Sequence, residues 1–198
     1  MKGTYLAVVC VALLTLPATN GQATPISGPI TNPANGHFYY LLDTASWTGS
    51  ESEALALSGH LVTINDLAEN DWVYDTFVPL LPANTVATLW IGLNDAAQEG
   101  LFVWANGEPV TFTNWGSNQP DDGRGAEDYA HVWTPFNTPA SAEWGKWNDA
   151  ANDGFGVGTP FGVAEVVPVP EPSSWALFGL GALAAWAARS HARRDNAT

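Results

Sequence analysis

Three short runs hold the residues best suited to chemistry: Asn118-Gln119-Pro120-Asp121-Asp122, Gly125-Ala126-Glu127-Asp128 and Trp147-Asn148-Asp149. Singly, each reads as turn material, because Asn, Asp and Gly tolerate the backbone angles of tight turns. Together they offer carboxylate, side-chain amide and backbone carbonyl oxygens, the donors that a hard cation such as calcium takes in sets of about six to eight. A zinc site is not indicated, since His37, His60, His131 and His191 are scattered and the single cysteine is Cys10. No Ser/His/Asp order and no glycine-rich phosphate loop stands out, so the expectation is a binding protein and not an enzyme. Asp121 with Asp122 as an acid–base pair is the residual enzymatic reading.

Charge sharpens the same point. The 198 residues carry a formal charge of −14 with six basic residues, of which Lys2, Arg189, Arg193 and Arg194 lie near the ends. Between residues 24 and 172 only Arg124 and Lys146 face nineteen acids, a local charge of −17. Such a surface repels nucleic acid and favours cations. A hydrophobic content of 46% excludes wholesale disorder, and the length suits one domain with tails.

The elements that must position these runs can be read from periodicity. His37–Leu42 reads as a first strand. Residues 46–58 read as a helix, with Ser50 and Glu53 as a capping box and Gly59 as the stop. His60–Ile64 is a short strand, and 66–77 a second helix capped by Asp66, with Leu67, Val73, Tyr74 and Phe77 on its buried side. Pro79 and Pro82 end it. Four β runs follow, at 89–93, 102–104, 129–133 and 161–167, separated by Gly, Asn, Asp and Pro clusters. The fold class expected is α+β: two helices followed by a small antiparallel sheet with long loops that carry the acids.

The order Trp90-Ile91-Gly92-Leu93, Phe102-Val103-Trp104, Asn114-Trp115, Gln119-Pro120-Asp121, Glu127-Asp128 and Trp147-Asn148-Asp149 resembles a C-type lectin-like domain over residues 36–167. The resemblance implies a calcium-dependent carbohydrate-binding module in which Pro120 is cis. It assigns the principal calcium and the sugar to Gln119, Asp121, Glu127, Asn148 and Asp149, with Asp149 also offering its backbone carbonyl. An auxiliary calcium is implied at Asp95, Glu99, Asp122 and Glu127. In the family the order Gln-Pro-Asp accompanies galactose-type preference, although no tryptophan follows the motif here to stack on a galactose face. Trp133 and Trp144 are the candidates to line a sugar, core packing being the plainer role for all eight tryptophans from Trp47 to Trp147. The family's usual four cysteines are absent: Tyr129 stands where one is typical, and Ala164 lies in the last strand. An alternative reading is a structural or protein-binding matrix component in which calcium only orders the loops.

The ends read as addresses. Lys2, the apolar Leu6–Leu16 and Gly21-Gln22-Ala23 make residues 1–23 a secretory signal, with 24–35 a linker. Pro168-Val169-Pro170-Glu171-Pro172 is a second linker, and the apolar run from Trp175 to Ala188 precedes the C-terminal arginines. Pro170-Glu171-Pro172, the short hydrophobic helix and the basic tail over 173–198 resemble a PEP-CTERM sorting signal. That implies processing by an exosortase-like membrane protease, a Gram-negative host, an extracellular or cell-surface destination and exopolysaccharide as partner, with membrane contact only through the terminal helix.

Overall fold

The structure is a computed structural model that describes residues 25–82, 86–136, 141–154, 156 and 158–169. Residues 1–23, read above as a secretory signal, and 173–198, read as a sorting segment with a short hydrophobic helix, lie outside the described residues. Among those described, no helix is long and apolar enough to cross a membrane.

In chain order the elements are β1 (Ser27–Thr31), β2 (Phe38–Thr44), α1 (Trp47–Ala56), β3 (His60–Leu61), α2 (Leu67–Phe77), β4 (Ala87–Asn94), β5 (Val103–Trp104), β6 (Tyr129–Val132), β7 (Trp147–Ala150) and β8 (Thr159–Val166). The strands form one sheet in the order β1-β2-β8-β4-β6-β7, with β3 on β8 and β5 on β4. The two helices and this sheet make the expected α+β architecture, but the sheet is mixed: β4 and β8 run parallel, Leu89 opposite Phe161 and Trp90 opposite Gly162. Strand β1 lies inside the segment read as a linker and pairs with β2 through Thr31 and Phe38. Strand β7 is the run read from sequence only as a cluster of oxygen donors.

Helix α1 starts where the 46–58 reading put it, a turn before the expected capping box at Ser50 and Glu53. Ser46 is the cap, accepting from the Gly49 amide at 3.1 Å. The early start seats Trp47, whose indole N–H donates to the Ile91 carbonyl at 2.7 Å. Ser50 is therefore inside the helix, buried, with its hydroxyl unpartnered. At the other end Ser58, not Gly59, takes the left-handed conformation (φ 66°), and the Gly59 amide closes onto the Ala54 carbonyl at 3.0 Å. Gly59 is required for a different reason: a Cβ there would sit 2.1 Å from the Glu165 carbonyl oxygen on β8.

In α2, Asp66 caps as expected, accepting from the Glu69 amide at 2.8 Å. Val73 and Phe77 are buried, but Leu67 is 53% exposed. Asn70 takes a buried place instead, because its amide accepts from the Trp147 indole at 2.8 Å and donates to the Gly145 carbonyl at 3.1 Å.

The core is aromatic. Trp147 meets Trp104, Phe112 and Trp115 edge-on, with centroids 5.6–5.9 Å apart, within the range where aromatic pairs attract. Where cysteines are typical of the resembled family, Tyr129 packs its ring on Trp47 at 4.8 Å and Ala164 is fully buried beside Leu42, Leu61 and Trp90. This packing fixes β4, β6 and β7, the strands from which the acidic loops depart.

Candidate functional site

The antiparallel pairing of β6 with β7 sets Ala130 opposite Asp149 and His131 opposite Asn148. Asp149, only 1% exposed, is thereby aimed at the loop that precedes β6. Its carboxylate accepts the backbone N–H of Asp121 at 3.2 Å and of Asp122 at 2.8 Å. The loop closes on itself as well: Glu127 accepts from the Gly123 amide at 3.0 Å, and the Glu127 amide donates to the Asp122 carboxylate at 3.2 Å. Asp122 adopts a left-handed backbone (φ 44°), and the Gln119-Pro120 bond is cis. The result brings one carboxylate oxygen from each of Asp121, Glu127 and Asp149 within 4.8 Å of the others. Gln119 places its carbonyl Oε1 in a buried position without a hydrogen-bond partner.

Asn148 is buried beside them, but its amide is turned inward. Nδ2 donates to the Asp149 carbonyl and to Nε2 of His131 at 3.0 Å. Complete burial pushes the His131 imidazole down to about 4, so it is neutral at physiological pH and accepts at Nε2 with its proton on Nδ1.

A second cluster lies where β4 runs out. Asp95, Glu99 and Asp128 bring one carboxylate oxygen each within 4.8 Å of one another. Asp95 is 2% exposed, its Oδ2 accepts from the Gly100 amide at 2.8 Å, and its Oδ1 is buried without a partner. Of the auxiliary set expected from sequence, Asp95 and Glu99 come together here. Asp122 and Glu127 are not in this cluster, since Asp122 caps the Glu127 amide and Glu127 joins the other one. Asp128 was missed. The signal for it was its adjacency to Glu127 at the entry to β6: in extended chain, neighbouring side chains point to opposite sides, so the two acids serve different clusters.

Electrostatics set both clusters against their own charge. Burial raises the carboxyls of Asp149 and Glu127 above the ordinary carboxylate range, and the charge of Asp121 adds to it for both. Asp95 is raised by burial and by Asp128, and Glu99 by desolvation and the charges of Asp95, Asp122 and Asp128. Oxygen-only donors, two buried unpartnered oxygens and like charges at close range are what a hard divalent cation relieves. The residues present fit calcium.

Around the first cluster, the Trp133 ring lies over Gly116, where a Cβ would sit 2.1 Å from its Cζ3. Ser117 donates to Glu143 at 2.6 Å, and Trp144 is 41% exposed nearby in sequence.

Residues 43–153 match the Lectin C-type domain family, and residues 168–194 match the PEP-CTERM protein-sorting motif. The chain is 32% identical over 152 residues to the alpha-N-acetylgalactosamine-specific lectin of Patiria pectinifera, spanning 74% of this chain and 86% of that one. It is 34% identical over 110 residues to salivary C-type lectin 2 of Aedes albopictus, spanning 54% and 70%. Among solved structures, the C-type lectin CEL-I from Cucumaria echinata is similar with a TM-score of 0.55 at 25% identity, covering 66% of this chain and 90% of that one. The mouse scavenger receptor C-type lectin carbohydrate-recognition domain gives 0.51 at 29% identity, covering 68% and 92%. Motif order, strand pairing and matched span agree, and the chain belongs to the C-type lectin domain family with a PEP-CTERM sorting motif following the domain.

Proposed function

We propose that this is an exported lectin that binds carbohydrate through a calcium ion held by Gln119, Asp121, Glu127, Asn148 and Asp149. The observation that carries the reading is the meeting of the three carboxylates of Asp121, Glu127 and Asp149, together with the buried, unpartnered Oε1 of Gln119 two residues before Asp121. Calcium would supply a Lewis-acidic centre on which sugar hydroxyls replace water. The protein's part is orientation: the Asp121 and Asp122 amides hold the Asp149 carboxylate, the Gly123 amide holds Glu127, and the carboxylates accept hydrogen bonds from hydroxyls while the Gln119 amide donates one. A second calcium at Asp95, Glu99 and Asp128, with Asp122 close by, would fix the loops without touching the sugar. The Gln119-Pro120-Asp121 order favours a galactose-type sugar, and the likeness to a lectin named for N-acetylgalactosamine points the same way. The sorting motif supports delivery to the surface or matrix of a Gram-negative bacterium, cleavage by an exosortase-like protease, transient anchoring by the terminal helix and an exopolysaccharide partner. Binding, and not catalysis, is the proposed role.

A glycan array probed with calcium and again with chelator tests this. Retention of galactose-type glycans that vanishes on chelation is expected. A protein that binds calcium by calorimetry but retains no glycan would overturn the sugar reading and establish the second one, a matrix component whose calcium only orders loops. The inward-turned amide of Asn148 favours that second reading, because its N–H groups are committed to Asp149 and His131 and not presented outward.

A further inference from the structure

Strand β6 lies between β4 and β7, and both registers pass through His131: Trp90 stands opposite it on β4 and Asn148 on β7. Directly opposite residues of an antiparallel pair share a face, so an indole, an imidazole and a carboxamide form one row across the sheet. The Trp90 indole is itself fixed, its N–H donating to the Ala45 carbonyl at 3.1 Å, and it meets the imidazole edge-on with centroids 5.9 Å apart. His131 is completely buried in this row.

Packing alone does not ask for an imidazole here. Ala130 and Val132 on the same strand are apolar and also buried, and the His131 ring leaves its Nδ1 buried without a hydrogen-bond partner. A buried polar atom left unpaired is a net cost that a hydrocarbon side chain would avoid. Against that cost stands one bond: Nε2 lies 3.0 Å from Asn148 Nδ2. An amide nitrogen only donates, so Nε2 accepts and the ring proton sits on Nδ1. The unpaired donor is thus created by the tautomer that Asn148 requires.

The tautomer in turn decides the amide. Asn148 Nδ2 has two protons, directed to the Asp149 carbonyl and to His131 Nε2. Turned over about its Cβ–Cγ bond, the carboxamide would set Oδ1 against Nε2, lone pair to lone pair. The imidazole therefore admits one amide orientation of the two. A hard cation takes asparagine through its oxygen. With Nδ2 held against β6, Oδ1 is the atom of Asn148 left for a metal.

We infer that, given the calcium reading above, His131 is a positioning residue of that site: its Nε2 holds the Asn148 amide nitrogen inward and so fixes Oδ1 as the atom offered to the ion. Outer partners of this kind orient a metal ligand without touching the metal, and losing one weakens binding about 10- to 100-fold.

The test uses the full chain, isotope-labelled for NMR, in chelator and with saturating calcium. A through-hydrogen-bond coupling between Asn148 Nδ2 and His131 Nε2 is expected in both states, with the chemical shift of an unprotonated nitrogen at Nε2. By calorimetry, His131→Phe, which keeps a ring against Trp90 but has no acceptor, should weaken calcium at least about tenfold, and His131→Gln, whose Oε1 can accept, should bind within about threefold of the parent chain. The Tm of His131→Phe in chelator should stay near the parent's, because Phe trades an unpaired N–H on His131 for one on Asn148. A residue that only packs would do the opposite, moving the Tm and leaving calcium affinity alone. No coupling in either state, a proton on Nε2, or equal calcium affinity in His131→Phe and the parent would overturn this role. A parent chain that binds no calcium would overturn the calcium reading and this role with it, whereas equal affinities overturn the role alone.

Discussion

Asp149 is both a hydrogen-bond anchor and a charge, and the two roles separate by mutation. Its carboxylate organises the loop by accepting the amides of Asp121 and Asp122. Asp149→Asn keeps one of the two oxygen acceptors and should fold, but removes one charge from the trio and leaves one of the two loop amides without its acceptor. Calcium affinity in calorimetry should fall about 10- to 100-fold, since charged hydrogen-bonding partners contribute about 1.5–3 kcal/mol. Asp149→Ala should lose calcium and lower the Tm as well, because two loop amides lose their acceptor. Unchanged calcium affinity in Asp149→Asn would remove Asp149 from the site. At this scale residue type supplied the oxygen donors and the family resemblance picked the set, of which Asp121, Glu127 and Asp149 come together as carboxylates. It was silent where partners decide. Nothing local distinguishes Asn70, which joins Trp147 to Gly145, from any polar residue on a helix, and Asp128 looks equivalent to its neighbour until the strand direction sends them apart.

Element boundaries separate propensity from packing in the same way. Ser50 with Glu53 has the spacing of a capping box, but the cap is Ser46, the first residue of the expected helix, where the start seats Trp47 against Ile91. Ser46→Ala should therefore cost about 1 kcal/mol in chemical denaturation, whereas Ser50→Ala, whose hydroxyl has no partner, should be neutral or stabilising. The reverse order would restore the capping-box reading. Gly59→Ala should be worse than either, because its Cβ meets backbone of β8 and backbone yields little. The existence of most strands was legible from hydrophobic runs bounded by turn residues. Their neighbours were not: a buried apolar run such as 89–93 reads the same beside a parallel or an antiparallel partner, so the β4–β8 pairing had no local signature. Strand β1, with two glycine- or proline-breaking positions in SGPIT, was hidden for the same reason.

For the whole molecule the controlling quantity is the excess of acid. Asp95, Glu127 and Asp149 have folded-state pKa values raised above their ordinary 3.8 and 4.5, so the folded chain binds more protons than the unfolded one through that window. Stability without calcium is then greatest below the ordinary carboxylate range and declines as pH rises through the raised values. These carboxyls alone would make the Tm in chelator fall as pH rises through their raised values, and the Tm gained from saturating calcium should grow with pH, since the ion competes with protons for the same oxygens. The lowered carboxyl of Glu143, held by Ser117, opposes the first trend, and so does buried His131, whose imidazole is pushed down to about 4 and favours folding more as pH rises toward its ordinary 6.5. A calcium-induced gain in Tm that does not grow with pH would show that the acids are not set against one another as described. The order of the sheet has a further consequence, for the time course of biosynthesis. Strand β8 is last in the chain yet lies between β2 and β4, and β3 pairs with it too. Strands β2, β3 and β4 complete their pairing only with residues 159–166, so the two halves of the sheet join only when nearly the whole domain has been synthesised, a topology of distant contacts that folds slowly. The sorting motif begins at residue 168, immediately after that closing strand. The strand that joins the two halves of the sheet is therefore also the stretch that leads directly into the sorting motif.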